Sequence, residues 1–535
     1  MHSKSAASLI LLSLFGTSRA TYILPRASPV GSTVKLDYGT FHGLEDHTTG
    51  ILYFRGVRFA DPPVGNLRWR APVSPPSTQL GDVKATQFAN ACISATQRRV
   101  TSGTSEDCLF GNVYVPINTA VSDGLPVMVW FHGGGFQSGS THDAPPELIL
   151  HSSSNPMIFI SFEYRLGPLG FLGGTQINDD GDLNVGLLDQ RAALRWVQRY
   201  IGQFGGDNKK VTIWGQSAGA GSTMFHLIAN GGDNEGLFRA AMGDSPSLSF
   251  VPAFNEDYDV QIFNQYASFA GCGNQGANVL SCLRSADANT LASASSQVLA
   301  ARPSTLFVFA PILDGKFINE RPVEAYAAGH FARVPVVFGS NTNEGAHWSA
   351  ELRDPSANTS MPNATEDTVF NFIRGQYVTF TQASVNRGFE LYPLNSFNGS
   401  FSLQGQQMYG EVRYICTAGM ITGSVSKFTT AYQYHYDNPH LGSFHADELD
   451  AFFSPPANAD QNDLALFEAM REYYTSFVTT GTPSAENAVA WDRVSSPSGS
   501  SRILFHPGGI KMEVVDDVLN TRCNFWHGIN QEMET

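Results

Sequence analysis

The sequence predicts an α/β fold with a large, mostly parallel central sheet flanked by helices and carrying helical insertions. Three observations carry this. Continuous apolar runs at Val127 to Phe131, Met157 to Phe162, Val211 to Trp214 and Val334 to Phe338 are bounded by glycine, proline and polar turns, as strands buried on both faces are. Between the second and third runs, Asn184 to Phe204 places Leu187, Leu194, Val197 and Ile201 on one helical face. Immediately after the third run stands Gly215-Gln216-Ser217-Ala218-Gly219, where a strand would turn sharply into a helix.

Taken in order, the chain opens with His2 and Lys4, an apolar stretch from Ala6 to Phe15, and small residues ending at Ala20. This is the layout of a signal peptide over residues 1–20, cleaved after Ala20, and it predicts a secreted protein. No later stretch approaches the ~18 apolar residues of a membrane span, and Gln531 to Thr535 carry neither a retention sequence nor an apolar tail, so no stable membrane anchor is expected. With 42% apolar and 15% charged residues the chain is globular. A net charge of −15 argues against nucleic acid as a partner.

Six cysteines suit an oxidising compartment. Cys92 with Cys108 and Cys272 with Cys282 would close short loops, which leaves Cys416 for Cys523, and the spacings match no zinc pattern. Neither a metal nor an organic cofactor is implied. Asn358, Asn363 and Asn398 begin Asn-x-Ser/Thr sequons in polar segments and are the expected glycosylation sites.

From Val34 to Phe59 the alternation around four glycines predicts short antiparallel strands, and the prolines from Pro62 to Pro76 keep the next segment irregular. In the helix from Asn184 to Phe204, Asp189, Arg191, Arg195 and Arg199 are expected on the solvent face, and Gly205 and Gly206 stop it. Strand, helix, glycine stop and strand make a βαβ unit leading to Ser217. Residues 255–302 and 358–428 are helical and polar in pattern. With no repeat and no linker, they read as insertions in one domain spanning 21–535.

A serine hydroxyl needs a base, an acid that orients the base, and donors for the developing oxyanion. The donors are expected from His132-Gly133-Gly134-Gly135, at the end of the first run. There the Gly134 and Gly135 amides join that of Ala218. Chain order places the acid after a later strand, where Glu344 follows Val334 to Phe338. His435, His440, His445, His506 and His527 all satisfy the order for the base.

The oxyanion loop, the Ser217 pentapeptide, Ser105-Glu106-Asp107-Cys108-Leu109 and the run from Asp189 to Gly206 together resemble type-B carboxylesterases and lipases. That family includes fungal carboxylesterases, cholinesterases and neuroligins. The likeness covers nearly the whole mature chain and is strongest to secreted fungal carboxylesterases. It implies an α/β-hydrolase fold, with Ser217 as nucleophile, Glu344 in Asn-Glu-Gly as acid, and His445 in Ser-Phe-His-Ala-Asp-Glu-Leu as base. It implies the same three disulfides. Gln216 stands where many relatives carry Glu, and Asp244-Ser245 replaces a Ser-Gly pair. The segment between Cys92 and Cys108 holds no aromatic residue, which disfavours a cation-π clamp for choline, and it is short and polar for an oil-binding lid.

The resulting expectation is a secreted serine carboxylesterase that hydrolyses small-molecule esters through a Ser-His-Glu triad and an acyl-enzyme. A hydrolase or acyltransferase dedicated to one secondary metabolite, and a non-catalytic recognition domain of the neuroligin kind, are the alternatives.

Overall fold

The computed structural model describes residues 29–495 and 501–535. The signal peptide expected over residues 1–20 lies outside them.

Among the described residues, eleven strands build the main sheet. They are β1 (Leu44–Asp46), β2 (Ile51–Arg58), β3 (Phe110–Pro116), β4 (Leu125–Phe131), β5 (Ile158–Phe162) and β6 (Gly206–Gln216). After these come β7 (Ala240–Asp244), β8 (Val336–Asn341), β9 (Ala431–Tyr436), β10 (Ser501–Phe505) and β11 (Lys511–Val514). Their order across the sheet is β1-β2-β3-β5-β4-β6-β7-β8-β9-β10-β11. The seven strands from β5 to β10 pair in parallel, and antiparallel strands finish both edges. Thr33–Leu36, Gly39–His42 and Asp82–Lys84 form a separate three-stranded sheet.

The parallel strands are apolar on both faces because both faces are covered. On β4, Val127, Val129 and Phe131 enter one core layer while Met128 and Trp130 enter the other. Helix α1 (Val185–Tyr200) and helix α2 (Ala218–Gly232) pack with the first layer, and α3 (Gln461–Thr480) with the second. Gly205, at φ 83°, ends the short 3-10 turn after α1 and admits the chain to β6.

One expectation is corrected here. Asp189 and Arg191 do not face solvent; both are fully buried, while Arg195 is exposed. The polar side of α1 is roofed by other segments. Arg165 grips Asp189 at 2.6 and 2.7 Å, and Glu235 accepts from Arg191 at 3.0 Å. An amphipathic pattern reports polarity, and polar groups with full partners can be buried.

Residues 257–300 and 366–425 are helical, and the second group shares a third core cluster with the helix Asp517–Gly528. The Cys416–Cys523 disulfide joins those two parts, and Cys92–Cys108 and Cys272–Cys282 close short loops.

Candidate active site

β6 ends at Gln216, α2 begins at Ala218, and Ser217 makes the whole turn at φ 56° and ψ −119°. Such a backbone costs about 1–3 kcal/mol and persists only where the surroundings enforce it. Ser217 N donates to Asp244 O at 2.9 Å, and Ser217 O accepts from Gly221 N at 2.8 Å. The flanking glycines are steric necessities. A Cβ on Gly215 would lie 2.3 Å from the carbonyl carbon of Gly219, and one on Gly219 would lie 1.9 Å from Phe131 O.

β4 leads directly into His132 and the three glycines. Gly134 and Gly135 have φ of 106° and 63°, and a Cβ on Gly135 would come within 2.0 Å of the Phe307 ring. Ala218 is the first residue of α2, so its N–H points out of the helix end and carries the positive pole of the helix dipole. The loop is braced from below. His132 Nδ1 donates to Gly133 O at 2.8 Å, and its ring stacks on Tyr164 at 4.3 Å. Glu163 approaches His132 Nε2 at 3.8 Å. Burial pushes His132 down to about 4 and Glu163 up to about 7, so between those values both are neutral and the contact is not an ion pair.

Ser217 Oγ lies 2.8 Å from His445 Nε2, and His445 Nδ1 lies 2.6 Å from Glu344 Oε2. A carboxylate only accepts, so Nδ1 carries the hydrogen and Nε2 is left to accept from the serine hydroxyl. Glu344 is fixed by its other oxygen, which accepts from Asn341 N at 2.7 Å and from the Ser245 hydroxyl. Gln216 Nε2 reaches His445 Nε2 at a longer 3.4 Å.

Of the other histidines that chain order allowed, His435 bonds Thr342 and Glu513, and His440 bonds Asp463. His506 donates to Pro507 O, and His527 is half-buried with its Nε2 unpartnered among the described residues.

Several groups surround the relay, and all of them but Asp244 escaped sequence reasoning. Trp348 donates to Glu344 O at 2.9 Å and packs on His445 at 5.4 Å. Tyr414 lies against the same imidazole at 4.3 Å. Glu448 accepts from Asn341 Nδ2, while Asp244 accepts from Trp214 Nε1 at 2.7 Å and Tyr474 OH at 2.6 Å. Burial, reinforced by the charge of Glu344, raises both carboxyls well above their ordinary range. Trp348 follows Glu344 by four residues and Glu448 follows His445 closely, so both were within reach of a local search. Tyr414 gave no such cue.

A family model described as "Carboxylesterase family" matches residues 31–526. The chain belongs to the carboxylesterase family. Secreted lipase 1 of Botryotinia fuckeliana is 32% identical, with 84% of this chain and 85% of that protein covered. Lipase 1 of Geotrichum candidum is 31% identical over 95% of this chain and 98% of its own length. The crystal structure of Aspergillus niger EstA superposes with a TM-score of 0.84 at 28% identity, covering 94% of this chain and 99% of that one. The α/β-hydrolase fold is therefore that of the family.

In this carboxylesterase-family chain the loop between Cys92 and Cys108 is tied down. Val100 N donates to Asn289 Oδ1 at 2.9 Å, and Ala95 O accepts from the Ser295 hydroxyl at 2.9 Å. Asn363 and Asn398 are exposed, and Asn358 is half-buried with its Oδ1 accepting from Ser360. Among the described residues, His440, Asp460 and Asp463 are the group whose spacing could suit a cation. Their atoms are already engaged: Asp460 caps α3, and Asp463 accepts from Asn438 and His440.

Proposed function

We propose that the protein is a secreted serine carboxylesterase, made with a signal peptide over residues 1–20 and acting as one domain from residue 21. The observation that carries the reading is the continuous relay from Glu344 through His445 to Ser217. Ser217 Oγ attacks the ester carbonyl as His445 Nε2 takes its proton. Glu344 holds the imidazole and balances its positive charge. The Gly134, Gly135 and Ala218 amides stabilise the oxyanion, each worth about 3 kcal/mol. The imidazolium returns its proton to the leaving alcohol, and water repeats the sequence on the acyl-enzyme.

The lipase names of two relatives favour a second reading, hydrolysis of water-insoluble acylglycerols. The short, tied Cys92–Cys108 loop supports soluble esters instead, because it lacks the apolar face that an oil surface would meet. A panel of ethyl esters of increasing acyl length, extended to emulsified triacylglycerol, tests this with the wild type and Ser217→Ala. Turnover of the soluble esters by the wild type alone is expected. Turnover that survives Ser217→Ala, or that is confined to the emulsion, would overturn the respective part.

A further inference from the structure

Arg413 is buried, 3% exposed, on the π-helical turn Glu411–Ile415. It has no carboxylate partner among the described residues. Its Nη1 reaches only Leu248 O, at 3.4 Å, and its Nε has no hydrogen-bond acceptor. Glu411, on the same turn, is spent on Tyr392 and Arg522. What surrounds the guanidinium is aromatic, with Phe307 at 4.8 Å, Tyr414 at 5.8 Å and Tyr409 at 5.9 Å. A guanidinium keeps its charge at any pH a protein survives, and burying that charge without a counter-ion is costly.

The position makes this a site. Arg413 and Ser249 line a small cavity, about 20 Å³, whose walls include Phe171 and Phe307. That space is large enough for one small polar group. Both walls border the oxyanion loop: Phe307 packs on Gly135, and Phe171 packs on Phe136 at 5.1 Å. Tyr414 separates Arg413 from His445. The segment after β7 runs from one centre to the other. Ser245 bonds Glu344, Ser247 lies beside Ser217 with its N at 3.4 Å from Ser217 O, and Ser249 reaches the cavity. Among the described residues the Ser247 and Ser249 hydroxyls are buried without partners, and Asp259, which also lines the cavity, has one oxygen unpartnered. Burial raises its carboxyl well above the usual range, which disfavours a competing negative charge there.

We infer that Arg413, with Ser249, is an anion subsite, and that the preferred substrates are esters carrying an ionised carboxylate a short chain away from the scissile bond. This rests on the ester-hydrolase reading above. A carboxylate supplies the missing counter-charge and accepts from Nε and the serine hydroxyl. Gln216, being neutral, places no negative charge beside Ser217 to oppose it.

The test compares kcat/KM for monoethyl glutarate with that for its uncharged isostere ethyl glutaramate, and for 4-acetoxybutyrate with 4-acetoxybutyramide. The two pairs put the charge on the acyl and the alcohol side. The wild type is expected to prefer the charged ester in at least one pair. Arg413→Met should lower that ratio roughly 10- to 100-fold, the worth of a charge-assisted hydrogen bond, and Arg413→Lys should restore part of it. A wild-type preference for the amide in both pairs, or a ratio unmoved by Arg413→Met, overturns the subsite. Turnover of the amide esters alone is thus distinct from turnover of no ester, which contradicts the esterase reading itself.

Discussion

Glu163 illustrates how a single buried carboxyl can shape the pH dependence of the whole chain. In the fold it titrates at about 7, against 4.5 for an unperturbed glutamate. The folded state therefore holds its proton where the unfolded chain has released it. Stability from this group is full below about 4.5, declines as pH rises, and is lost once pH passes about 7. Glu163→Gln keeps the acceptor used by Thr141 and removes the titration. Its advantage over the wild type should grow between pH 5 and 8, to at most about 3 kcal/mol, and then level off. Chemical denaturation at a series of pH values measures this, and an advantage that is constant across the range would contradict it. At the oxyanion loop, Gly135→Ala meets both an unsuitable φ and the Phe307 ring. A fall in kcat of roughly 10²- to 10³-fold is expected with the fold retained, the loss typical of one oxyanion donor. A wild-type kcat in that variant would remove Gly135 from the account.

Individual elements differed in how far their sequences disclosed them. The parallel strands were legible because burial on both faces requires uninterrupted apolar runs, and the Ser217 turn and the oxyanion loop because their glycines stand together in short motifs. What forces some of those glycines is distant: Phe131 against Gly219 and Phe307 against Gly135. Choosing among five histidines was not local, since His445 meets Ser217 and Glu344 across 228 and 101 residues. Resemblance supplied that choice. The burial of Asp189 and Arg191 was hidden because the groups that cover α1 lie elsewhere in the chain, and Arg413 carried no motif at all. The Cys416–Cys523 link also acts at this scale. It closes a loop with a sequence separation of 107, so replacing both cysteines with serine should cost about 4–5 kcal/mol in the chain-entropy description. Urea denaturation reads that loss, and an unchanged midpoint would mean the helical insertion holds itself in place.

For the molecule as a whole, the net charge is −15, and among the described residues no helix is long and apolar enough to cross a membrane. The released protein should begin at Thr21 and carry glycans at Asn363 and Asn398, which are exposed. Intact-mass measurement before and after deglycosylation checks both, and a chain that still begins at Met1 would refute the processing. Around this frame, the site gathers residues from the segments that follow β4, β6, β8 and β9. The central claim is that Ser217, activated by His445 and Glu344, is the nucleophile. Titration with a fluorophosphonate, followed by peptide mapping, tests it most directly. The account predicts one equivalent bound, located on Ser217, with ester turnover lost in proportion. A folded protein that hydrolyses esters while Ser217 stays unlabelled, or that is labelled elsewhere as activity disappears, would contradict it.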